Sequence, residues 1–323
     1  MTYKPQPAPC PARKQEQGQH VAILMSTFNG ESFLQEQLDS LYQQTHTNWT
    51  IHASDDGSSD GTLDVLRQNR QQIGAERLSV RLGPARGFSE NFLSLLRADD
   101  IGAQYFAFCD QDDIWAPRKL EYALKWLSSA PEATPALYCS RTRLVDESSN
   151  PIGFSPLFRR PPSFSNALVQ SIAGGNTMVM NEAARKLLGR TPPHTTIISH
   201  DWWAYLLVTG CGGAVFYEST PQVDYRQHGQ NLMGSNTRLR DRLARLNKMF
   251  DGTFKAWNSA NIEALASFEN ELTPSSRASL LTFRNARGAC LSSRLAGFRR
   301  AGVHRQSAIE NVGLTAAMLI NRV

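Results

Sequence analysis

The feature that most constrains the fold of this chain is an alternation of short apolar runs with amphipathic helical patterns. The runs "HVAILMST", "WTIHASD", "LSVRL" and "QYFAFCD" each have the length and apolar content of a buried strand. Between them, apolar residues recur at helical spacing, as at Leu34, Leu38 and Leu41. Strands separated by helices in this way predict a largely parallel sheet in an α/β fold.

Beyond about residue 130 the alternation becomes less regular. Further strands are predicted for "ALYCSRTRLVD", "SIAGGNTMVM" and "GAVFYES", with a Pro-rich loop at 151–162 and a short helix at 200–209. From residue 238 the pattern is helical and basic. We therefore predict a disordered tail at 1–19, an α/β domain at 20–237 and a basic helical region at 238–323.

Composition limits the class of protein. The chain has 323 residues, of which 41% are hydrophobic and 20% are charged, as in ordinary globular proteins. No apolar stretch approaches the ~18 residues of a membrane-spanning helix, and the first residues lack the apolar segment of a secretory signal. Five scattered cysteines without a C-x-x-C pair disfavour a disulfide framework and a zinc site, so we expect a cytoplasmic location.

Positive charge is concentrated at the end of the chain. Residues 238–323 contain 14 Lys and Arg against 6 Asp and Glu, whereas residues 1–237 contain 20 against 23. Leu291, Leu295 and Phe298 share one predicted helix face. The arginines interleaved with them are Arg284, Arg287, Arg294, Arg299 and Arg300. Such a helix predicts a peripheral contact with the inner face of an anionic plasma membrane. No nucleic-acid partner is expected.

Polar clusters follow each of the first four predicted strands. They are "STFN", "SDDGSSDGT", "GPARGF" and "DQDD". Ligands of open parallel sheets bind beyond the carboxyl ends of the strands, so the four clusters are expected to meet at one edge. Any one of them alone would be ordinary turn chemistry.

The cluster "DQDD" directly follows an apolar strand. Asp110 and Asp112 are two residues apart and would project from the same side of an extended chain. Neighbouring carboxylates raise each other's pKa unless they share a cation, and Mg²⁺ commonly takes one or two protein carboxylates together with substrate phosphates. Asp113 fits a helix start instead, where an acid opposes the helix dipole and Pro117 suits the first turn. A solvated helix N-terminus is the alternative for the whole cluster.

The chain resembles the family 2 glycosyltransferases of GT-A fold, and within them the bacterial rhamnosyltransferase-like group. The resemblance is carried, in order, by "STFNG", "SDDGSSDGT", "FCDQDDIW", "GGNTMVMN", "HDWW" and "YRQHGQN". It implies a Rossmann-like, mostly parallel sheet with flanking helices, to which this chain adds a C-terminal helical extension. It also implies an inverting enzyme that uses Mg²⁺ or Mn²⁺ and moves a sugar, rhamnose from dTDP-rhamnose, to a cell-surface polysaccharide or lipid-linked glycan.

The same resemblance implies roles for individual residues. Asp110 and Asp112 correspond to the D-x-D that binds the metal, and His228 to a late histidine near the metal and the diphosphate. Asp201 corresponds to the general base, with Trp202 and Trp203 on the acceptor side. The positions that correspond to the donor site are Thr27, Phe28, Asn29, Asp55, Asp56, Arg86, Asp110, Asn176 and Thr177.

Several of these residues have a plain structural alternative. Arg86 would be a surface arginine, His228 a polar loop residue, and Asp201 a helix cap beside core tryptophans. The sequence also leaves open whether Asp55 or Asp56 contacts the nucleoside.

Two other functions fit parts of the sequence. A metal-dependent nucleotidyltransferase also joins a nucleotide pocket to paired aspartates, but it would need a glycine-rich, basic phosphate loop after the first strand. The segment "STFNGESF" has one glycine and no lysine. A non-enzymatic membrane- or nucleic-acid-binding protein would use the basic region alone.

Overall fold

One mixed sheet organises the residues that the computed structural model describes, which are 19–229 and 251–323. Its strands are β1 (Val21–Thr27), β2 (Trp49–Asp55), β3 (Leu78–Leu82), β4 (Tyr105–Cys109), β5 (Ile114–Trp115), β6 (Ala136–Val145), β7 (Pro151–Phe154), β8 (Val179–Asn181) and β9 (Ala214–Arg226). Their order is β3-β2-β1-β4-β8-β6-β9-β5, with β7 paired to β6. The first four strands are parallel, and β8 joins β4 to β6 by antiparallel pairing. The carboxyl ends of β1 to β4 therefore lie along one edge.

Helices connect and cover the strands. They are α1 (Glu31–Tyr42), α2 (Thr62–Ile73), α3 (Phe88–Arg97), α4 (Lys119–Leu127), α5 (Phe164–Ala167), α6 (Glu182–Gly189), α7 (His200–Gly210), α8 (Thr253–Leu265), α9 (Pro274–Gly288), α10 (Leu291–Arg300) and α11 (Ala308–Leu319). The alternation predicted for the first 130 residues is confirmed, since α1, α2 and α3 each lie between two parallel strands.

Three details differ from the sequence prediction. The segment "SIAGGNTMVM" is mainly irregular, with a 3₁₀ turn at Gly175–Thr177, and only its end belongs to β8. β9 continues to Arg226, well beyond the predicted strand, because its second half pairs with β5 and with the end of β6. Pro117 precedes α4, which begins at Lys119, so it does not lie in the first helical turn.

Hydrophobic cores lie on both faces of the sheet. Alternate residues of β1 contribute to each: Ile23 packs with the apolar faces of α1 and α4, and Leu24 packs with α3 and α7. The second core also contains the C-terminal helices, through buried residues such as Phe283 and Phe298. The helical region therefore shares a core with the sheet.

The apolar face of α10 is used in this packing. Phe298 is 2% exposed, its ring centroid lies 5.5 Å from that of Phe283, and Leu295 packs on the same core. Phe298 and Leu295 therefore belong to the core, which corrects the prediction for these two side chains, whereas Leu291 of the same face is 49% exposed and its contact with a membrane stays a prediction. Within the described ranges, no helix combines the length and hydrophobicity needed to cross a bilayer. Residues 1–18 of the predicted tail and residues 230–250, which include the end of the motif "YRQHGQN", lie outside the described residues.

Candidate active site

The loops after β1, β2, β3 and β4 are joined to one another by side chains, as the pattern of polar clusters predicted. Gln111 Oε1 accepts a hydrogen bond from the Phe28 N–H at 2.7 Å, and Gln111 Nε2 donates to the Phe28 carbonyl at 2.9 Å. Gly30 leaves room for this amide, since a Cβ there would lie 2.3 Å from Gln111 Cδ. Asn29 Oδ1 accepts from the Ser59 N–H at 2.8 Å. The Phe28 ring is left 56% exposed at the edge.

The two aspartates after β2 are engaged by their own chain. Asp55 accepts from Thr27 Oγ1 and from the Ser58 N–H, both at 2.8 Å. Asp56 accepts two backbone hydrogen bonds of 2.7 Å from the "GPARGF" loop and so holds that loop at the edge. Asp55 is 1% exposed and Asp56 is 8% exposed, so Asp56 has more surface left for a ligand.

Three aspartates and a histidine come together at the edge. Asp112 Oδ2 lies 2.8 Å from His228 Nε2. Burial raises the pKa of Asp110, and the charges of Asp112 and Asp201 raise it further, while Lys119 opposes the shift. Carboxyl groups that disfavour each other's ionisation are therefore concentrated where the sequence predicted a cation.

Lys119 lies behind the aspartates and was not predicted. It is 0% exposed, and its Nζ lies 3.1 Å from the centroid of the Trp115 ring. Burial lowers the pKa of Lys119 to about 7. Electrostatic attraction by Cys109, Asp113 and Asp110 acts in the opposite direction and raises it. Its charge partly balances the carboxylates from the protein side.

Arg226 fixes the aspartate loop and was also missed. It is 1% exposed, its Nε donates to the Asp112 carbonyl at 3.0 Å, and its backbone N–H donates to Asp113 Oδ1 at 3.2 Å. Its guanidinium donates to the Glu147 carbonyl at 2.8 Å and pairs with Glu36 on α1. The sequence feature that could have revealed Arg226 is its position two residues before His228 in the motif "YRQHGQN".

Asp113 has a structural role, but not at a helix start. It is 0% exposed, and its Oδ2 accepts from Asn176 Nδ2 at 2.6 Å, which ties the aspartate loop to the 3₁₀ turn. Burial raises the pKa of this carboxyl. Thr177 is also 0% exposed, and its hydroxyl donates to the Gly174 carbonyl at 2.9 Å. Thr177 therefore shapes the turn, which corrects its predicted contact with a donor.

Asp201 lies in the first turn of α7. Its Oδ1 accepts from the Trp202 N–H at 2.6 Å and from the Ser199 hydroxyl. Burial raises the pKa of Asp201, and these hydrogen bonds to the charged form partly offset the rise. A partly desolvated carboxylate near Asp110 is suited to accepting a proton.

The two tryptophans after Asp201 belong to the core. Trp202 is 6% exposed and donates from Nε1 to the Ala167 carbonyl at 2.6 Å. Trp203 is 0% exposed and donates to Thr191 Oγ1 at 2.8 Å. The prediction that they contact an acceptor sugar is therefore corrected, because both indoles are buried with their N–H groups satisfied.

His200 packs between the sheet and the 3₁₀ turn. Its ring stacks on Phe92 at a centroid distance of 4.0 Å, and a Cβ on Gly175 would lie 2.1 Å from its Nε2. Burial lowers its pKa to about 3, so the ring is neutral near pH 7. His200 thus positions the turn beside Asp201.

Arg86 is exposed and reaches the loop before α7. Its Nη1 lies 2.5 Å from His194 Nδ1. Ala85 and His194 both have positive φ, 54° and 71°, so both loops adopt uncommon backbone conformations at this contact. A phosphate contact by Arg86 stays a prediction.

The donor set fits a divalent cation whose shell is completed by substrate. Asp112 and His228 offer a carboxylate and an imidazole, with Asp110 close enough for its charge to interact. Among residues 19–229 and 251–323, no group of three His, Cys, Asp or Glu side chains is spaced to hold a metal by itself. Mg²⁺ keeps several waters and binds through one or two carboxylates plus substrate phosphates, and imidazole with carboxylate also suits Mn²⁺.

Comparison with known proteins decides the family. A sequence model described as glycosyl transferase family 2 matches residues 22–188, more than half of the chain. The chain belongs to this family. As a family 2 glycosyltransferase it is an enzyme, which excludes the nucleotidyltransferase and the non-enzymatic alternatives.

Relatives and a solved structure agree with this assignment. The dTDP-rhamnosyl transferase RfbG of Shigella flexneri is 26% identical over 230 residues, covering 69% of this chain and 78% of that protein. The UDP-Glc:alpha-D-GlcNAc-diphosphoundecaprenol beta-1,3-glucosyltransferase WfgD of Escherichia coli is 29% identical over 110 residues, covering 33% and 40%. The mannosyltransferase PcManGT of Pyrobaculum calidifontis, solved with GDP-Man and Mn²⁺, superposes with a TM-score of 0.50 at 18% identity, covering 96% and 88%. The structural likeness supports the GT-A fold.

Proposed function

We propose that this glycosyltransferase moves rhamnose from dTDP-rhamnose to a hydroxyl of a lipid-linked glycan during synthesis of a cell-surface polysaccharide. The observation that carries the proposal is the 2.8 Å contact between Asp112 Oδ2 and His228 Nε2 at the edge of the sheet, in the loop that also contains Asp110. Rhamnose and dTDP are proposed from the likeness to RfbG, and the lipid-linked acceptor from the name of WfgD. The catalytic domain of this proposal is residues 20–237.

The nucleotide half of the donor would lie over the first two loops. The exposed ring of Phe28 offers a stacking surface for a base. Asp56 can accept from a base N–H or from a ribose hydroxyl, both of which are donors. Arg86, at the third loop, would bind a phosphate of the diphosphate through its guanidinium.

Asp112 and His228, with Asp110 beside them, would hold Mg²⁺ or Mn²⁺. The bound ion supplies Lewis-acid stabilisation of the negative charge on the departing nucleoside diphosphate. Asn176, through Asp113, and Arg226, through the Asp112 carbonyl, keep this loop in place.

Asp201 would act as the general base. The acceptor hydroxyl oxygen forms a bond to the anomeric carbon, the bond from that carbon to the diphosphate oxygen breaks, and the hydroxyl proton passes to Asp201. One such displacement inverts the anomeric configuration. The raised pKa of Asp201 makes it a stronger base than an exposed aspartate.

A product assay tests the proposal. Purified protein is incubated with dTDP-, UDP- and GDP-sugars, with Mg²⁺ or Mn²⁺ and a lipid-linked glycan, and products are identified by mass. We expect dTDP and a rhamnosylated product, with Asp112→Ala and Asp201→Ala each losing at least about 100-fold in rate. Asp64→Asn, an exposed acid on α2, is the matched control. Pyrophosphate as the product, or full activity in either alanine variant, would contradict the proposal.

A further inference from the structure

One side of the helical region exposes an apolar stripe. On α11, Ile309 is 81% exposed, Val312 71% and Leu319 47%, and Ile320 directly after the helix is 54% exposed. At 3.6 residues per turn these side chains lie within about 100° of arc. The opposite face packs on the core through Leu314, which is 2% exposed. The stripe is therefore a separate face from the one that attaches the helix.

The loop at 155–162 continues this side of the molecule. Gln306, which directly precedes the N-cap of α11, accepts from the Arg160 N–H at 3.0 Å and donates to the Arg160 carbonyl at 3.2 Å. The loop exposes Leu157 by 38%, and Phe154, at the end of β7, is 49% exposed. We call the exposed side chains of α11 and of loop 155–162, with the end of α10, the basic-apolar surface.

The charges of the basic-apolar surface are positive. Residues 151–162 and 287–309 contain no Asp or Glu. The Ala301 carbonyl, directly after α10, accepts from Ser165 Oγ at 3.0 Å on α5, the short helix that follows the loop. Glu310 is engaged in the capping box of α11. The exposed arginines of this surface are Arg159, Arg160, Arg299 and Arg300.

We infer that the basic-apolar surface binds the anionic surface of a membrane. Arginines beside exposed aliphatic side chains match both layers of a bilayer surface, since guanidinium groups pair with lipid phosphates and the aliphatic groups enter the acyl boundary. A second copy of this chain is a poorer partner, because a self-complementary contact would bring the same arginines toward each other.

The surface is connected to the catalytic edge through β7. Val145 pairs with Pro151 at the start of β7 and with Arg226 on β9, and Arg226 donates to the Asp112 carbonyl. Membrane contact along loop 155–162 holds the site near the bilayer, where a lipid-linked acceptor presents its hydroxyl. This consequence rests on the proposed function, whereas membrane binding itself does not.

Vesicle flotation of the full chain tests the inference. The vesicles are phosphatidylcholine alone, or phosphatidylcholine with about a third phosphatidylglycerol. Wild type is expected to float with the anionic vesicles and to be released by about 0.5 M NaCl. Ile309→Ser/Val312→Ser and Arg159→Gln/Arg160→Gln should each weaken binding by at least about tenfold. Leu82→Ser, on β3 and also 81% exposed, is the matched control and should bind like wild type.

Several results would overturn the inference. Failure of wild type to bind anionic vesicles does so, as does unchanged binding by both double variants. A dimer in analytical ultracentrifugation that Ile309→Ser/Val312→Ser dissociates, without vesicle binding, would assign the face to a second copy.

Release of dTDP from dTDP-rhamnose without vesicles is measured in parallel. Turnover with no vesicle binding refutes only the membrane surface, and binding with no turnover refutes only the proposed reaction.

Discussion

At the scale of single residues, the candidate active-site edge depends on buried side chains that hold its loops in place. Arg226 shows this most clearly, because one guanidinium contacts the Asp112 carbonyl, the Glu147 carbonyl and the Glu36 carboxylate. A planar group with five donors can satisfy these acceptors together, and a lysine cannot. Arg226 is thus a positioning residue.

We expect Arg226→Lys to lower kcat by about 10- to 100-fold and to weaken metal binding, because the Asp112 loop loses its fixed geometry. The donor KM should change less than kcat. Steady-state kinetics at varied Mn²⁺ measures this. Arg143→Lys, at a 46% exposed arginine paired with Asp224, is the control and should stay near wild type. Equal kinetics for both variants would refute the positioning role.

A second residue-scale prediction concerns pH. The proposed base must be ionised, so kcat/KM should fall as pH falls through the raised pKa of Asp201. The Ser199 hydroxyl stabilises the ionised form, so Ser199→Ala should raise that pKa further and move the acid limb to higher pH. Asp201→Asn should lose the limb together with most activity. An acid limb at the same pH in Ser199→Ala would contradict this account.

The sequence could propose residues whose type and motif order suggest a chemical role, such as Asp112, His228 and Asp201, and these roles stay predictions. It could not locate Arg226 or Lys119, because their roles come from burial, and an arginine or lysine in a sequence is ordinarily a surface residue. Trp203 was misplaced for the opposite reason. An aromatic residue next to a proposed catalytic aspartate fits both a sugar platform and a core, and only packing separates the two.

At the scale of elements, α7 and the 3₁₀ turn at Gly175–Thr177 are held together by His200. The pKa of His200 falls from 6.5 to about 3 on folding, so below pH 6.5 the unfolded chain binds more protons than the native one. Stability should therefore decrease as pH falls, by about 2 kcal/mol between pH 7.5 and pH 5 from this residue.

His200→Leu removes this titration while keeping an apolar side chain of similar size. The free energy of unfolding of the variant should thus decline less than that of wild type over the same pH range. The difference between the two declines should be about 2 kcal/mol. Urea unfolding at pH 5 and pH 7.5 provides the comparison. His46→Leu, at a half-buried histidine outside this site, should keep the wild-type difference. A pH dependence in His200→Leu as large as in wild type would show that the ring is not held neutral.

The alternation of strands and helices was predictable because both periodicities are short-range properties of the sequence. The 3₁₀ turn was not, since "AGGNT" lies next to an apolar run and its conformation depends on Asn176 reaching Asp113. The sequence predicted that one face of α10 is apolar. It could not predict that this face packs on the protein core, because apolar side chains suit a core and a membrane equally well.

At the scale of the whole molecule, the C-terminal helices and the sheet share one core. Phe283, which is 0% exposed, packs in the same cluster as Phe108 of β4 and Trp203 of α7. The helical region should therefore unfold together with the catalytic domain rather than before it.

We expect Phe283→Ala to cost about 3–5 kcal/mol and to lower the Tm of a single transition. Circular dichroism and tryptophan fluorescence should report the same midpoint. Leu281→Ala, two positions away on α9 and 37% exposed, should cost less than about 1 kcal/mol. Two separate transitions, with only the first shifted by Phe283→Ala, would contradict the shared core.

The most direct test of the central claim, that this edge binds a nucleoside diphosphate through a cation held by Asp112 and His228, is calorimetric titration of dTDP with and without Mn²⁺. We expect Mn²⁺ to tighten dTDP binding to wild type at least about tenfold, and Asp112→Asn to lose that gain while keeping the metal-free affinity. Asp64→Asn should behave like wild type. Equal affinity with and without Mn²⁺ in wild type, or an undiminished gain in Asp112→Asn, would contradict the claim.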